Sequence, residues 1–184
     1  MTNFADIAFT PAVQALQEKN GSRGTYARMQ SEAGPGNGLG AREAGFLANA
    51  DSFYMATVSE TGWPYVQHRG GPRGFVKVVS SAQLAFADFR GNRQFVSAGN
   101  SIGNDRVALI VMDYPNRQRL KLLGHLRFQD IDGADPALAA AVQLPDYRAR
   151  VERIAVIDVA GFDWNCPQHI TPRFTLEEIA RSSS

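Results

Sequence analysis

From Phe53 to Phe128 the sequence repeats one pattern, a short strand-type run closed by turn residues. Phe53 to Val58 (FYMATV) leads through Glu60-Thr61-Gly62 into Pro64 to Arg69 (PYVQHR). Phe75 to Val79, Leu84 to Ala87, Val107 to Met112 and Gln118 to Phe128 follow, with Asp113 to Asn116 as the last turn. Val107 to Met112 (VALIVM) is apolar enough to be buried on both faces. Six or more short strands in about 80 residues, joined by turns, predict a closed barrel more than an open sheet.

Helix signals flank this block, so the expected class is mainly β with flanking helices. Thr10 is placed to cap a helix that begins at Pro11, runs through Ala12 to Lys19 and stops at Asn20-Gly21. Ser31 to Gly40 is rich in Gly, Pro and Asn and reads as a loop, and Ala41 to Ala50 reads as a helix with Phe46 and Leu47 on its apolar side. Residues 1–40 are therefore expected to form a helical extension with a Gly-rich loop, and residues 41–184 the main domain. Asp135-Pro136 opens a helix to about Leu144, Arg153 to Val159 reads as a final strand, and Thr175-Leu176-Glu177-Glu178 has capping-box spacing for a short terminal helix.

Bulk properties remove several functions. The 19 basic and 18 acidic residues leave a net charge of +1, which is no footprint for non-specific nucleic-acid binding. A single cysteine, Cys166, excludes an intrachain disulfide and a thiolate metal cluster, so no metal is expected. No apolar run approaches 18 residues, and Met1 to Asp6 lacks a basic region followed by an apolar stretch. The expectation is a cytoplasmic protein with no membrane or nucleic-acid partner.

Four segments carry chemistry. In Asp88-Phe89-Arg90-Gly91-Asn92-Arg93-Gln94, two arginines flank a Gly-Asn turn, and the helix-compatible stretch Arg93 to Ala98 comes next. Free backbone N–H groups and forked guanidiniums together suit a phosphate dianion, although a solvated hairpin loop has the same composition. At period two, Arg117, Arg119 and Lys121 share one strand face, which calls for an anion, for acidic cross-strand neighbours or for solvent. Gln67-His68-Arg69-Gly70-Gly71-Pro72 offers either a close approach for a flat ring or a corner in the barrel. Phe162 to Phe174 mixes aromatic, amide, thiol, imidazole and guanidinium groups in a manner unlike core, and loops of that kind often carry function. Cys166 and His169 lack a third orienting residue, so nucleophilic catalysis is not assigned to them.

In their combined order these blocks resemble the FMN-binding split-barrel superfamily related to pyridoxamine 5'-phosphate oxidase, and above all its predicted flavin-nucleotide-binding branch. The resemblance rests on Phe53 to Arg69, Gly74 to Val78, Phe86 to Arg93, Gly103 to Leu109, Arg119 to Gly124 and the Trp164 to Phe174 tail, and spans roughly residues 41 to 174. It implies an FMN-binding split β-barrel whose flavin phosphate is held by Asn92 and Arg93 with Arg90 beside them, in a cofactor-binding block that also includes Asp88 and Phe89. Gln67, His68 and Arg69 would run along the isoalloxazine ring, and Arg119, with Lys121 beside it, would reach the ring. Trp164, Asn165 and Arg173 would close the pocket, often from a second subunit, in a homodimer with FMN at the interface. The oxidase itself carries an arginine and a hydrophobic run ending in lysine where this chain has His68-Arg69-Gly70-Gly71-Pro72, so vitamin B6 oxidation does not follow. The implied activity is a flavin-dependent oxidoreductase acting on an unidentified small molecule, with no catalytic acid or base assigned. The alternatives are a flavin carrier or sensor without turnover, and a split barrel binding haem or a deazaflavin.

Overall fold

The computed structural model describes residues 2–32, 38–91, 93–164 and 167–182. Three helices come first, α1 (Phe4–Ala8), α2 (Pro11–Lys19) and α3 (Arg23–Glu32). The Thr10 hydroxyl accepts from the Val13 N–H and Pro11 fills the first turn of α2, as its sequence predicts. Helix α3 buries none of its residues, and without an apolar stripe it left no periodic signal to read. Helix α4 (Ala41–Asn49) begins with the Glu43 carboxylate accepting the Gly40 N–H at 2.9 Å, and it buries Leu47.

The body is one antiparallel sheet of seven strands: β1 (Ser52–Val58), β2 (Pro64–Gly70), β3 (Val76–Ser80), β4 (Gln83–Phe89), β5 (Arg106–Asp113), β6 (Gln118–Asp130) and β7 (Val151–Trp164). Their order in space is β2-β1-β5-β6-β7-β4-β3, so β2 and β3 are edges with no backbone ladder between them. Side chains close the gap. Phe53 of β1 stacks on Phe75 with ring centroids 5.7 Å apart and meets Phe86 of β4 edge-on at 5.2 Å. Both ends of the sheet therefore curl round one core, which Met55, Leu109, Leu120, Leu122 and Ile157 continue. The barrel is closed by packing and split in its hydrogen bonding.

Helix α5 (Val96–Gly103) lies between β4 and β5 in the chain. The buried Asn100 amide donates to the Thr57 hydroxyl at 2.9 Å, and the Ser97 hydroxyl donates to Gln67 at 2.8 Å, which fixes the start of α5 against β2. This helix starts later than the sequence indicates, because Arg93 (φ 59°) and Phe95 (φ 55°) are left-handed and delay the first turn. Helix α6 (Pro136–Val142), capped by Asp135, covers the far face of β4 and β7 over Ala85, Ala87, Ile154 and Val156. A last helix, α7 (Leu176–Ser182), is joined to the barrel through the Arg73–Glu178 ion pair at 3.1 Å.

Two expectations change. Arg117 does not share a strand face with Arg119 and Lys121: it ends the turn before β6 with φ 53°. Strand β7 runs through Phe162 and Trp164, so the aromatic start of the C-terminal segment is sheet and not loop.

Candidate functional site

Strand alternation builds the site. On β2, Tyr65, Gln67 and Arg69 are half-buried while Val66 and His68 face outward. On β4, Leu84, Phe86 and Asp88 share the core face, and in register Asp88 lies opposite Arg153 of β7. Asp88 is 6% exposed and accepts from Arg69 Nη1 at 2.7 Å, from Arg153 Nε at 3.1 Å and from Arg153 Nη2 at 2.5 Å. One carboxylate thus ties the edge strand β2 to β4 and β7 across the split. Two guanidiniums share it, which leaves a positive charge over. Among the described residues Arg69 Nε is buried and has no acceptor.

The loop before α5 completes the enclosure. A left-handed backbone at residues as large as Arg93 and Phe95 costs about 1 kcal/mol or more each, and such strain gathers at functional sites. The Phe95 ring lies 5.8 Å from the Arg93 guanidinium and 5.0 Å from that of Arg153. Val96, Ser97 and Ala98, the first turn of α5, bring a helix N-terminus to the same place, and Phe95 supplies no side-chain cap. The result is a nook of about 70 Å³ walled by Tyr65, Gln67, Arg69, Arg93, Ser97 and Arg153. A single water needs about 10–15 Å³ of such space, so the nook has room for a compact polar group of several heavy atoms.

Of the other residues singled out in the sequence, Phe89 lines the nook with its ring edge-on to Tyr147 at 5.1 Å. Arg90 turns away: its N–H donates to the Arg150 carbonyl at 2.9 Å and its Nε lies 3.6 Å from Glu152. His68 is on the outer face, 5.6 Å from the Tyr54 ring. Asn92, Asn165 and Cys166 lie outside the described residues. Arg119 and Lys121 share the outer face of β6, where Lys121 pairs with Asp163 at 3.0 Å and Arg119 Nε is buried without an acceptor among the described residues. The β6 residue beside Arg153 is Asp130, so about 35 Å of strand separates Arg119 from that end.

Trp164 and Arg173 meet at a second cavity, of about 510 Å³. The Trp164 indole donates to Glu43 at 2.8 Å, with Arg42 4.0 Å above its ring and Phe46 edge-on at 4.8 Å; Arg173 covers Tyr114 at 4.8 Å. Burial pulls the Glu43 carboxyl up, but hydrogen bonds from Trp164, Gly40 and its own backbone, with the charge of Arg42, outweigh it and leave the group below its ordinary value. A carboxyl lowered on folding adds stability above its unfolded pKa and loses it as pH falls through the folded one. Thermal melts should therefore show wild type losing its advantage over Glu43→Gln as pH drops below about 4.5. An offset unchanged from pH 7 to pH 3 would contradict this.

Sequence reading missed Arg153, Ser97 and Tyr65. Arg153 had a signal, since at period two it shares the core face of β7 with Ala155 and Ile157. An arginine inside an apolar strand needs a buried partner, and Asp88 is the matching anomaly on β4. Among the described residues no His/Cys/Asp/Glu group is arranged to hold a metal, and no helix is long and apolar enough to cross a membrane.

No protein-family model matches the chain, and no curated protein matches it in sequence. Solved structures do match. The HupZ protein of Group A Streptococcus is 14% identical with a TM-score of 0.55, over 74% of this chain and 99% of that one. A proposed pyridoxamine 5'-phosphate oxidase from Lactobacillus delbrueckii is 18% identical, TM-score 0.52, over 69% and 94% of the two chains. An FMN-binding protein from Syntrophomonas wolfei is 10% identical, TM-score 0.50, over 82% and 97%. At these identities the likeness is one of fold. The chain has the split-barrel fold found in pyridoxamine 5'-phosphate oxidase-like and FMN-binding proteins.

Proposed function

We propose that this protein belongs to the pyridoxamine 5'-phosphate oxidase-like family and binds FMN, with the flavin phosphate in the nook between β2, β4, β7 and α5. The observation that carries the reading is Arg69 Nε, a buried donor without an acceptor among the described residues, beside Arg93, Arg153 and a helix N-terminus. That donor set matches a phosphate in charge and in hydrogen bonding. Bound FMN would supply the electron transfer, while Gln67 and Tyr65, on the same strand face as Arg69, would orient the groups next to the phosphate. The protein is then a flavin-dependent oxidoreductase acting on a small molecule.

A homodimer is part of the same reading. The outer face of β1, β2, β5 and β6 carries Tyr54, Ala56, Val66, Ala108, Ile110 and Leu123, with Val66 61% exposed. An apolar sheet face of this kind suits a second copy. One flavin in one protomer spans too little of β6 to meet both the nook and Arg119, whereas a partner brings its own Arg119, Trp164 and Arg173. A flavin carrier without turnover is the second reading, favoured by the two carboxylates at the nook. Asp88 and Glu152 are both paired with arginines, and no other carboxylate lines the nook among the described residues.

The test is a visible spectrum of the purified protein, repeated after FMN reconstitution and gel filtration. Flavin bands that co-elute with a dimer are expected; haem or deazaflavin bands would reassign the cofactor, and bleaching by NAD(P)H would separate enzyme from carrier. Arg93→Ala should weaken FMN binding by about 1.5–3 kcal/mol, the range for a charge-assisted phosphate contact. Unchanged FMN retention in that variant would remove Arg93 from the phosphate site.

A further inference from the structure

We propose that Asp88 is the resident counter-anion of the nook, not a ligand contact, and that it tunes the nook's net charge to a terminal phosphomonoester dianion. The inference rests on the phosphate reading above and deepens it.

The geometry separates the two roles. A carboxylate at the floor of an anion site repels the anion, so its presence there needs another purpose. Both Asp88 oxygens are spent, Oδ1 on Arg69 and Oδ2 on the Nε/Nη2 fork of Arg153. Arg69 gives Asp88 only Nη1, and its Nε, on the other edge of the guanidinium, is left buried and unmet among the described residues. Asp88 therefore holds the plane of Arg69 while leaving that donor for an incoming oxygen. Arg153 turns its flat fork to Asp88 and lays its guanidinium against Phe95 at 5.0 Å and Phe128 at 4.6 Å, which fixes its position without a ligand.

The charge count gives the ligand class. Arg69, Arg93 and Arg153 line the nook against Asp88, and Glu152 is matched by Arg90. The surplus is two positive charges, the complement of a phosphomonoester near neutral pH. A phosphodiester or a carboxylate offers one negative charge and leaves a cation uncompensated in a half-buried site. Without Asp88 the surplus would be three, and two guanidiniums would face each other across the split whenever the ligand was absent. Asp88 thus lets the barrel close empty, at some cost in affinity.

The experiment compares wild type, Asp88→Asn, Arg153→Ala and the double variant, with inorganic phosphate as the probe in thermal melts. FMN, FAD and riboflavin are then compared by equilibrium binding. Asp88→Asn should melt on the order of 10 °C lower without phosphate and regain more than wild type when phosphate is added. Its preference for FMN over riboflavin should rise on the order of tenfold. Arg153→Ala should lower that preference by a similar factor, and the double variant, which restores the charge count, should return close to wild type. Wild type should favour FMN over FAD. Should Asp88→Asn fail to fold, the Arg153→Ala and double-variant comparison still decides the matter. A reduced FMN preference in Asp88→Asn, or equal phosphate stabilisation in all four proteins, would overturn the proposal. Phosphate stabilisation that follows the charge count in a protein that refuses FMN would instead reject the flavin and keep the counter-anion.

Discussion

Phe53→Ala should destabilise the protein by about 3–5 kcal/mol, the range for truncating a buried phenylalanine, read from urea denaturation. Phe53 is 2% exposed and is the β1 ring that touches both Phe75 and Phe86 across the split. An alanine there leaves a cavity at the place where no backbone ladder can bring the sheet ends together. The site should feel the loss, because Arg69 of β2 reaches Asp88 of β4 over the same gap. On the FMN reading proposed above, retention of the flavin should therefore fall together with stability. A loss below about 1 kcal/mol would mean that the split is held by something other than this aromatic contact.

Gly124→Ala is expected to cost about 3 kcal/mol, the upper end for overpacking. A methyl group at Gly124 would sit 2.6 Å from the Asp158 carbonyl oxygen and 2.9 Å from Ile157 Cγ2. The nearer atom is backbone of β7, at the register shift between β6 and β7, so it cannot swing aside as a side-chain tip would. Gly45→Ala in α4, where nothing lies within 4 Å, is the matched control and should be neutral or stabilising by up to about 1 kcal/mol. Equal melting temperatures for the two variants would show that β6 and β7 separate freely at the bulge.

The strands were legible because each carries its own signal, alternation with a turn at either end. Phe53 to Val58, Pro64 to Arg69 and Val107 to Met112 fall inside observed strands for that reason. Helix α3 was not legible, since it buries nothing and its pattern answers to no core. The part of the site that follows β4 could be read from Arg90 to Arg93, yet only Arg93 of the two arginines faces the nook. Arg90 is instead drawn to the Arg150 carbonyl and Glu152, while Arg93 sits in a left-handed conformation that its residue type does not announce. The Asp88–Arg153 pair spans 65 residues and depends on which strands become neighbours, which local pattern does not encode.

The sheet order also sets when the site exists. Strands β1, β2, β5 and β6 are mutual neighbours and can pair as soon as β6 is made. The β3–β4 hairpin has one other neighbour, β7, the last strand of the chain. Until β7 docks, no backbone ladder joins the strands that carry Arg69 to the hairpin that carries Asp88, and the strand that supplies it is the one that carries Arg153. Contacts between residues so far apart in sequence form late. The strand that closes the ladder is thus also the one that completes the arginine pair on Asp88, and a chain that ends before Val151 has neither the β7 partner of β4 and β6 nor Arg153.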